Sequence, residues 1–194
     1  MFKRLSTLAA VSISTAALAT AAYADHHGEK KMSDNPMVGG AEMYASKTIV
    51  ENAVNSADHE TLVTAVTEAG LGETLSGEGP FTVFAPTDDA FAKLPEGTVE
   101  TLLMDENLET LQGVLTCHVV DGKVMADAVI GMIEEGYGSA EIETLGSCVL
   151  TAALDGDNVT ITDENGNVAT VTIADVKQSN GVIHVVDTVL LPAG

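Results

Sequence analysis

Basic residues are scarce: eight Lys+Arg stand against 29 Asp+Glu, for a formal charge of -21 over 194 residues. A polyanion of that strength is repelled by phosphate backbones and by anionic lipid surfaces, so binding nucleic acid through a basic face is excluded. Tryptophan is absent and aromatics make up only 4% of the chain, too few for a lectin-like row of sugar-stacking rings. There are two cysteines, Cys117 and Cys148, with neither C-x-x-C spacing nor a local His/Cys cluster, which argues against a zinc site or a thioredoxin-like motif. Beyond residue 24 no apolar run approaches the roughly 20 residues needed to span a bilayer. No G-x-S-x-G elbow, glycine-rich phosphate loop or H-E-x-x-H is present, and the scattered carboxylates single out no catalytic pair, so an enzyme reading has no residue to name. The 45% hydrophobic content still supports a full core, and the length fits one domain with a short remainder.

That remainder lies at the start. Lys3 and Arg4 precede an apolar, small-residue stretch from Leu5 to Ala22, and Ala22-Tyr23-Ala24 is an A-x-A cleavage site. Residues 1–24 therefore read as a secretory signal, giving an exported protein, periplasmic or secreted, with no membrane insertion after cleavage. Losing Lys3 and Arg4 leaves six basic residues and takes the charge from -21 to -23. An oxidising compartment favours a Cys117–Cys148 disulfide, two buried thiols being the alternative. Residues 25–45 read as a flexible leader containing His26, His27, Met32, Met37, Met43 and the Gly39-Gly40 pair. Cleavage after Ala24 exposes Asp25-His26-His27, whose amine, two backbone amides and His27 imidazole can supply four nitrogens to Cu(II), the one cofactor the sequence suggests.

From residue 46 the period is helical. Ile49, Val50, Ala53 and Val54 recur at helix spacing, and a second helix runs from Asp58 as N-cap to a stop at Gly70. Residues 80–86 form a strand bracketed by prolines, after which Thr87 caps a short helix carrying Asp88 and Asp89 in its first turn. Further helical segments fit residues 98–104, 107–115 and 126–135. The second half turns to β: runs at 149–154, 159–162 and 168–173 are separated by turn-forming sequences, and residues 181–191 are apolar on both parities, as in a central strand. Asp163, Asn165 and Asn167 imitate a calcium loop, but Val168 replaces its glycine and the closing glutamate is missing, so a hairpin turn is expected. Helices first and strands second predict an α+β fold with an antiparallel sheet or sandwich.

Three segments carry a resemblance. Phe81-Thr82-Val83-Phe84-Ala85-Pro86-Thr87-Asp88-Asp89-Ala90-Phe91 resembles the first signature of the fasciclin (FAS1) domain family. Asn180-Gly181-Val182-Ile183-His184-Val185-Val186-Asp187-Thr188-Val189-Leu190-Leu191-Pro192 resembles its second. Between them, Cys117-His118-Val119-Val120-Asp121-Gly122 sits where the family carries a Tyr-His-Val-Val-Pro-Gly-like segment. The resemblance spans residues 46–192 and implies a single β-sandwich wedge with helices packed at one side. It also implies a non-enzymatic module for cell-surface or matrix adhesion through contact with a surface or matrix protein. Cys117 stands in place of the family's tyrosine and Asp121 in place of its proline, so a receptor role for that segment is not carried over. Phe81, Phe84 and Phe91 read as core, and buried His118 and His184 need hydrogen-bond partners, with Asn180, Asp187 or backbone carbonyls as candidates. The competing expectation is a carrier of a small apolar molecule, lipid or pigment, in a groove to which Leu102, Leu103, Met104, Val129 and Ile133 contribute.

Overall fold

The structure, a computed structural model, describes residues 35–193. The folded unit begins earlier than expected. Strands β1 (Met37–Val38) and β2 (Ala41–Glu42) form a hairpin inside the segment read as a flexible leader. Gly39 and Gly40 both take positive φ, which suits a two-residue turn matched to strand twist. A Cβ on Gly39 would collide with the Ser56 hydroxyl, so the turn lies directly on the loop behind it. Val38 and Met43 point inward and are buried; the alternation is too brief to show as a pattern in the sequence.

Helix α1 (Ile49–Ala53) starts at a capping box: the Thr48 hydroxyl accepts from Glu51 N at 3.3 Å while the Glu51 carboxylate accepts from Thr48 N at 2.8 Å. Helix α2 (Glu60–Glu68) turns Leu62, Ala65 and Val66 inward and is followed by α3 (Gly72–Ser76). Strand β3 (Phe81–Pro86) leads into α4 (Asp88–Ala92), whose first turn is capped by Thr87 as expected. Next come α5 (Thr98–Leu102), a 3-10 turn (Asp105–Asn107), α6 (Leu108–Cys117), β4 (Val119–Asp121) and α7 (Ala126–Glu135). The second half supplies β5 (Ser139–Glu143), β6 (Val149–Asp155), β7 (Asn158–Thr162), β8 (Val168–Gln178) and β9 (Gly181–Val186).

The large sheet runs β4-β3-β9-β8-β7-β6-β5. Its pairs are antiparallel except β3 with β9, which is parallel, so the sheet is mixed where antiparallel pairing was expected. β9 is central and buried along its whole length, as its two-sided apolar sequence predicted. It ends at Val186 rather than 191, because the Asp187 carboxylate turns back to accept from Thr170 N at 2.8 Å.

The two faces of β3 and β9 serve two cores. Val83, Ala85, Ile183 and Val185 face α1 to α6, with Leu62, Val66, Leu111 and Leu115. Phe84 and Val186 face the opposite layer, where α7 and the inner sides of β5 to β8 bring Val129, Ile133, Ile142, Leu150 and Ile161. The sheet nearly closes on itself: Leu145 N, just past β5, donates to Val119 O of β4 at 2.8 Å, and Gly146 N donates to Thr116 O at 3.1 Å. Beside those bonds Cys117 and Cys148 form a disulfide with a Cα–Cα distance of 5.4 Å. The result is an α+β wedge, with α1 to α6 on one side and α7 packed against the other core.

Candidate functional site

The first signature divides its phenylalanines between the cores. Phe84 lies with the α7 layer, Phe91 is buried in the helical layer, and half-buried Phe81 packs against that same layer. Asp88 does more than sit in the first turn of α4. Its carboxylate reaches across to the N-terminus of α2 and accepts from Thr61 N at 2.8 Å and Glu60 N at 3.2 Å. The helix therefore receives its cap from Asp88 and not from Asp58, which contributes its carbonyl to Asp88 N instead. Burial alone would raise the Asp88 pKa, but the Thr61 and Glu60 donors outweigh it and hold it below the usual carboxylate value.

The second signature works as a set of ties. Asn180 Oδ1 accepts from Ile49 N at 3.0 Å, and its amide donates to Leu75 O at 2.7 Å and Gly77 O at 3.1 Å, joining α1 to the end of α3. Asp187 also meets Lys93 at 3.3 Å. Burial pushes the Asp187 pKa up, yet the Thr170 amide, Lys93 and the Thr188 hydroxyl together bring it below normal. Asp163 is the centre of a turn and not a cation loop: its carboxylate accepts from Asn165 N, Asn167 N, Asn167 Nδ2 and Leu191 N.

Both signature histidines are consumed by main-chain groups, the carbonyl option among those expected. His118 Nδ1 donates to Val114 O at 2.8 Å and its Nε2 accepts from Leu190 N at 2.9 Å, a pairing that requires the neutral Nδ1–H form. Burial pushes its pKa down to about 4, against the Val114 carbonyl and Asp163. His184 Nε2 donates to Val124 O at 2.9 Å, Nδ1 accepts from Asp175 N at 3.3 Å, and burial again lowers the pKa. Buried His59 and Asn52 escaped the sequence reading. His59 Nδ1 meets the Ser56 hydroxyl at 2.8 Å and its Nε2 has no partner among the described residues. Asn52 exchanges bonds with the Tyr44 main chain and donates to Gln178, fastening the N-terminal hairpin to α1. Polar residues on short helices carry no signal that would have marked them as buried.

Two surface features remain. An apolar cleft between α1, α2 and α3 is lined by Ile49, Val50, Ala53, Leu62, Val63 and Val66, with a volume near 40 Å³. A wider groove of about 570 Å³ lies between the Ser76–Pro80 loop, Thr48, Lys123 and the turn at 178–181. The expected apolar carrier groove is not assembled: Val129 and Ile133 are core residues of the α7 layer, Leu102 and Leu103 pack on the helical layer, and Met104 is exposed. Among the described residues no group of three or more His, Cys, Asp or Glu could hold a metal. His26 and His27 lie outside those residues, while Met43 is core and unavailable as a soft ligand. No described helix is long and apolar enough to cross a membrane.

The Fasciclin domain model matches residues 57–192. Protein sll1483 of Synechocystis sp. is 48% identical over 156 residues, covering 80% of this chain and 79% of that protein. Transforming growth factor-beta-induced protein ig-h3 of Sus scrofa is 35% identical over 133 residues, 69% of this chain but 18% of that longer protein. Among solved structures, a FAS1 domain pair from the insect cell adhesion molecule Fasciclin I superposes with a TM-score of 0.67 at 19% identity, covering 75% of this chain and 51% of that one. The fold, the two signatures with their buried ties, and the match over most of the chain lead to one assignment: the protein belongs to the fasciclin domain family.

Proposed function

We propose that the protein is an exported, non-enzymatic interaction module that adheres to a surface or matrix protein by direct contact. The observation that carries this reading is the apolar cleft between α1, α2 and α3. At about 40 Å³ it is far smaller than the roughly 300–1,000 Å³ typical of small-molecule sites, but it is shaped to receive one apolar side chain as an anchor. His118, His184, Asp88 and Asp187 are committed to holding the fold, which leaves adhesion to the surface. The likeness in fold to a cell adhesion molecule supports the same reading. Chemical cross-linking to the native host's surface fraction tests it: Val63→Glu, at the cleft wall, abolishes a specific cross-linked protein partner that the wild type forms. Capture of that partner by the variant at wild-type yield overturns the reading.

A second reading, a carrier of a lipid or pigment, draws on the lining of the same cleft, apolar but for Thr67, which would have to open as α1 and α2 part. Apolar material that co-purifies from the native host and is lost in Val63→Glu favours it. Copper binding by Asp25-His26-His27 is a separate proposal. Correctly processed protein is then expected to give a visible d-d band with one equivalent of Cu(II), lost on His27→Ala.

A further inference from the structure

His118 and His184 each have both ring nitrogens engaged by main-chain groups, but a third buried histidine does not. His59, only 3% exposed, meets the Ser56 hydroxyl through Nδ1 and has no partner at Nε2 among the described residues. The ring lines a small cavity of about 10 Å³. To that cavity α1, β3, β8 and β9 contribute Ala53, Ala85, Val176 and Ile183, and the N-terminal hairpin of β1 and β2 adds Val38 and the Met43 that follows it. None of those six side chains titrates, and their one polar atom is the weakly accepting Met43 sulfur. Burial lowers the His59 pKa below that of a free histidine, against the Ala85 carbonyl, neighbouring Asp58 and Asp88 of α4, which favour the charged ring.

Of the elements around this ring, the hairpin is the one that can move. β3, β9 and β8 are consecutive inner strands of the large sheet, Asn180 holds the start of α1, and Asp88 holds the start of α2. The hairpin has two residues per strand and lies outside the large sheet. A strand pair that short has little stability of its own. It is fastened by Ala57 N, which donates to Gly39 O at 3.0 Å, and by Asn52, which accepts from Tyr44 N at 3.0 Å and donates to Tyr44 O at 2.8 Å. Ala57 is two residues from His59, so the main-chain fastening and the ring share one short loop.

We propose that this hairpin is an acid-released latch, closed over the neutral His59 ring and lifted when that ring takes up a proton. A protonated imidazole carries two N–H donors. The Ser56 hydroxyl can accept one, while the other is left at a wall of mainly aliphatic carbon, where an unsolvated charge is costly. Lifting the hairpin brings water to Nε2 and bares Val38, Met43 and Ala53, an apolar patch formed only in acid. Ala53 also lines the cleft between α1, α2 and α3, so the latch adjoins that cleft without depending on its role. The sign follows from a folded pKa below the free value of 6.5. Closure is fully favoured above pH 6.5, and as the pH falls towards the folded pKa a single proton weakens it by up to about tenfold per pH unit.

The test is hydrogen exchange of isotope-labelled protein between pH 7.5 and 5, expressed as protection factors so that the intrinsic pH dependence of exchange cancels. The Met43, Tyr44 and Ala57 amides are expected to lose up to about tenfold in protection per pH unit below 6.5. They should stay less protected than β6 to β8 at every pH, the mark of an opening short of global unfolding. His59→Leu, uncharged throughout, is expected to abolish that slope, whereas His118→Asn leaves it in place. If His59→Leu does not fold, the wild-type His59 ring resonances decide. Protonation seen only as the hairpin opens supports the latch, and protonation under a still-protected hairpin overturns it. Hairpin protection independent of pH, equal protection in hairpin and strands at every pH, or an unchanged slope in His59→Leu likewise overturns the proposal.

Discussion

In the helical layer, α1, α3, α4 and α5 are only five residues long, whereas β6, β7 and β8 run seven, five and eleven residues. A five-residue helix is far below the length that is stable alone in water. Its ends must be held from elsewhere, and here they are: Asp88 caps α2 from 27 residues away, and Asn180 holds Ile49 from 131 residues away. The strands, by contrast, pair with their sequence neighbours through tight turns, such as Asp155↔Asn158 and Thr162↔Val168. One half of the molecule is thus stabilised by long-range side-chain ties and the other by local register. Mutation should expose that difference, since cutting a single tie loosens several helices while leaving the hairpins in place.

The largest effect is expected from Asn180→Ala, which strands the Ile49 amide and two carbonyls in a buried setting and costs about 4 kcal/mol. Hydrogen exchange should show α1 and α3 losing protection while β6 to β8 keep theirs; uniform loss across both halves would erase the comparison. Cys117→Ser with Cys148→Ser comes next. The crosslink joins the end of α6 to the β5–β6 turn across a separation of 31 residues, and its loss costs about 3 to 4 kcal/mol in the chain-entropy model. Urea unfolding followed by separate probes in each half is expected to lose coincidence when this link is gone.

His118 joins the halves in a pH-dependent way, through Val114 of α6 and Leu190 of the closing segment. Its folded pKa of about 4 lies below the free value of 6.5. The stability gained by keeping it neutral is therefore complete above pH 6.5, erodes as the pH falls, and is gone below pH 4. That span corresponds to about 3 kcal/mol. Urea midpoints at pH 7, 5.5 and 4 measure it, and His118→Asn should be weaker at pH 7 but show a shallower acid slope.

The smallest effect sharpens the capping assignment. Asp88→Ala is expected to cost about 1 kcal/mol and Asp58→Ala almost nothing, by thermal unfolding. The reverse order would return the cap to the residue that sequence alone nominates.

How much of this was legible depended on whether the cause was local. Periodicity placed α2, α6, α7, β6 and β7 close to their observed positions and found the starts of β8 and β9 but not their ends, β8 running on to Gln178 and β9 stopping at Val186. The hairpin at Met37–Glu42 was missed, since two residues per strand give no period and a Gly-Gly pair suits a linker as well as a turn. Asp88, Asn52 and His59 were legible as residue types but not as roles, because their partners are set by chain crossings.

The sequence by itself determined the acidic surface, the two-sided apolar strand at β9 and the pairing of its two cysteines as an expectation that the structure bears out. Those are statements about composition and local pattern. Only the tertiary structure decided that β9 runs parallel to β3, that two cores share that strand pair, and that Asp88 caps α2 from across the fold. The physical reason is that apolar burial acts through local spacing, whereas the geometry of a charged site is set by which distant segments the fold makes neighbours.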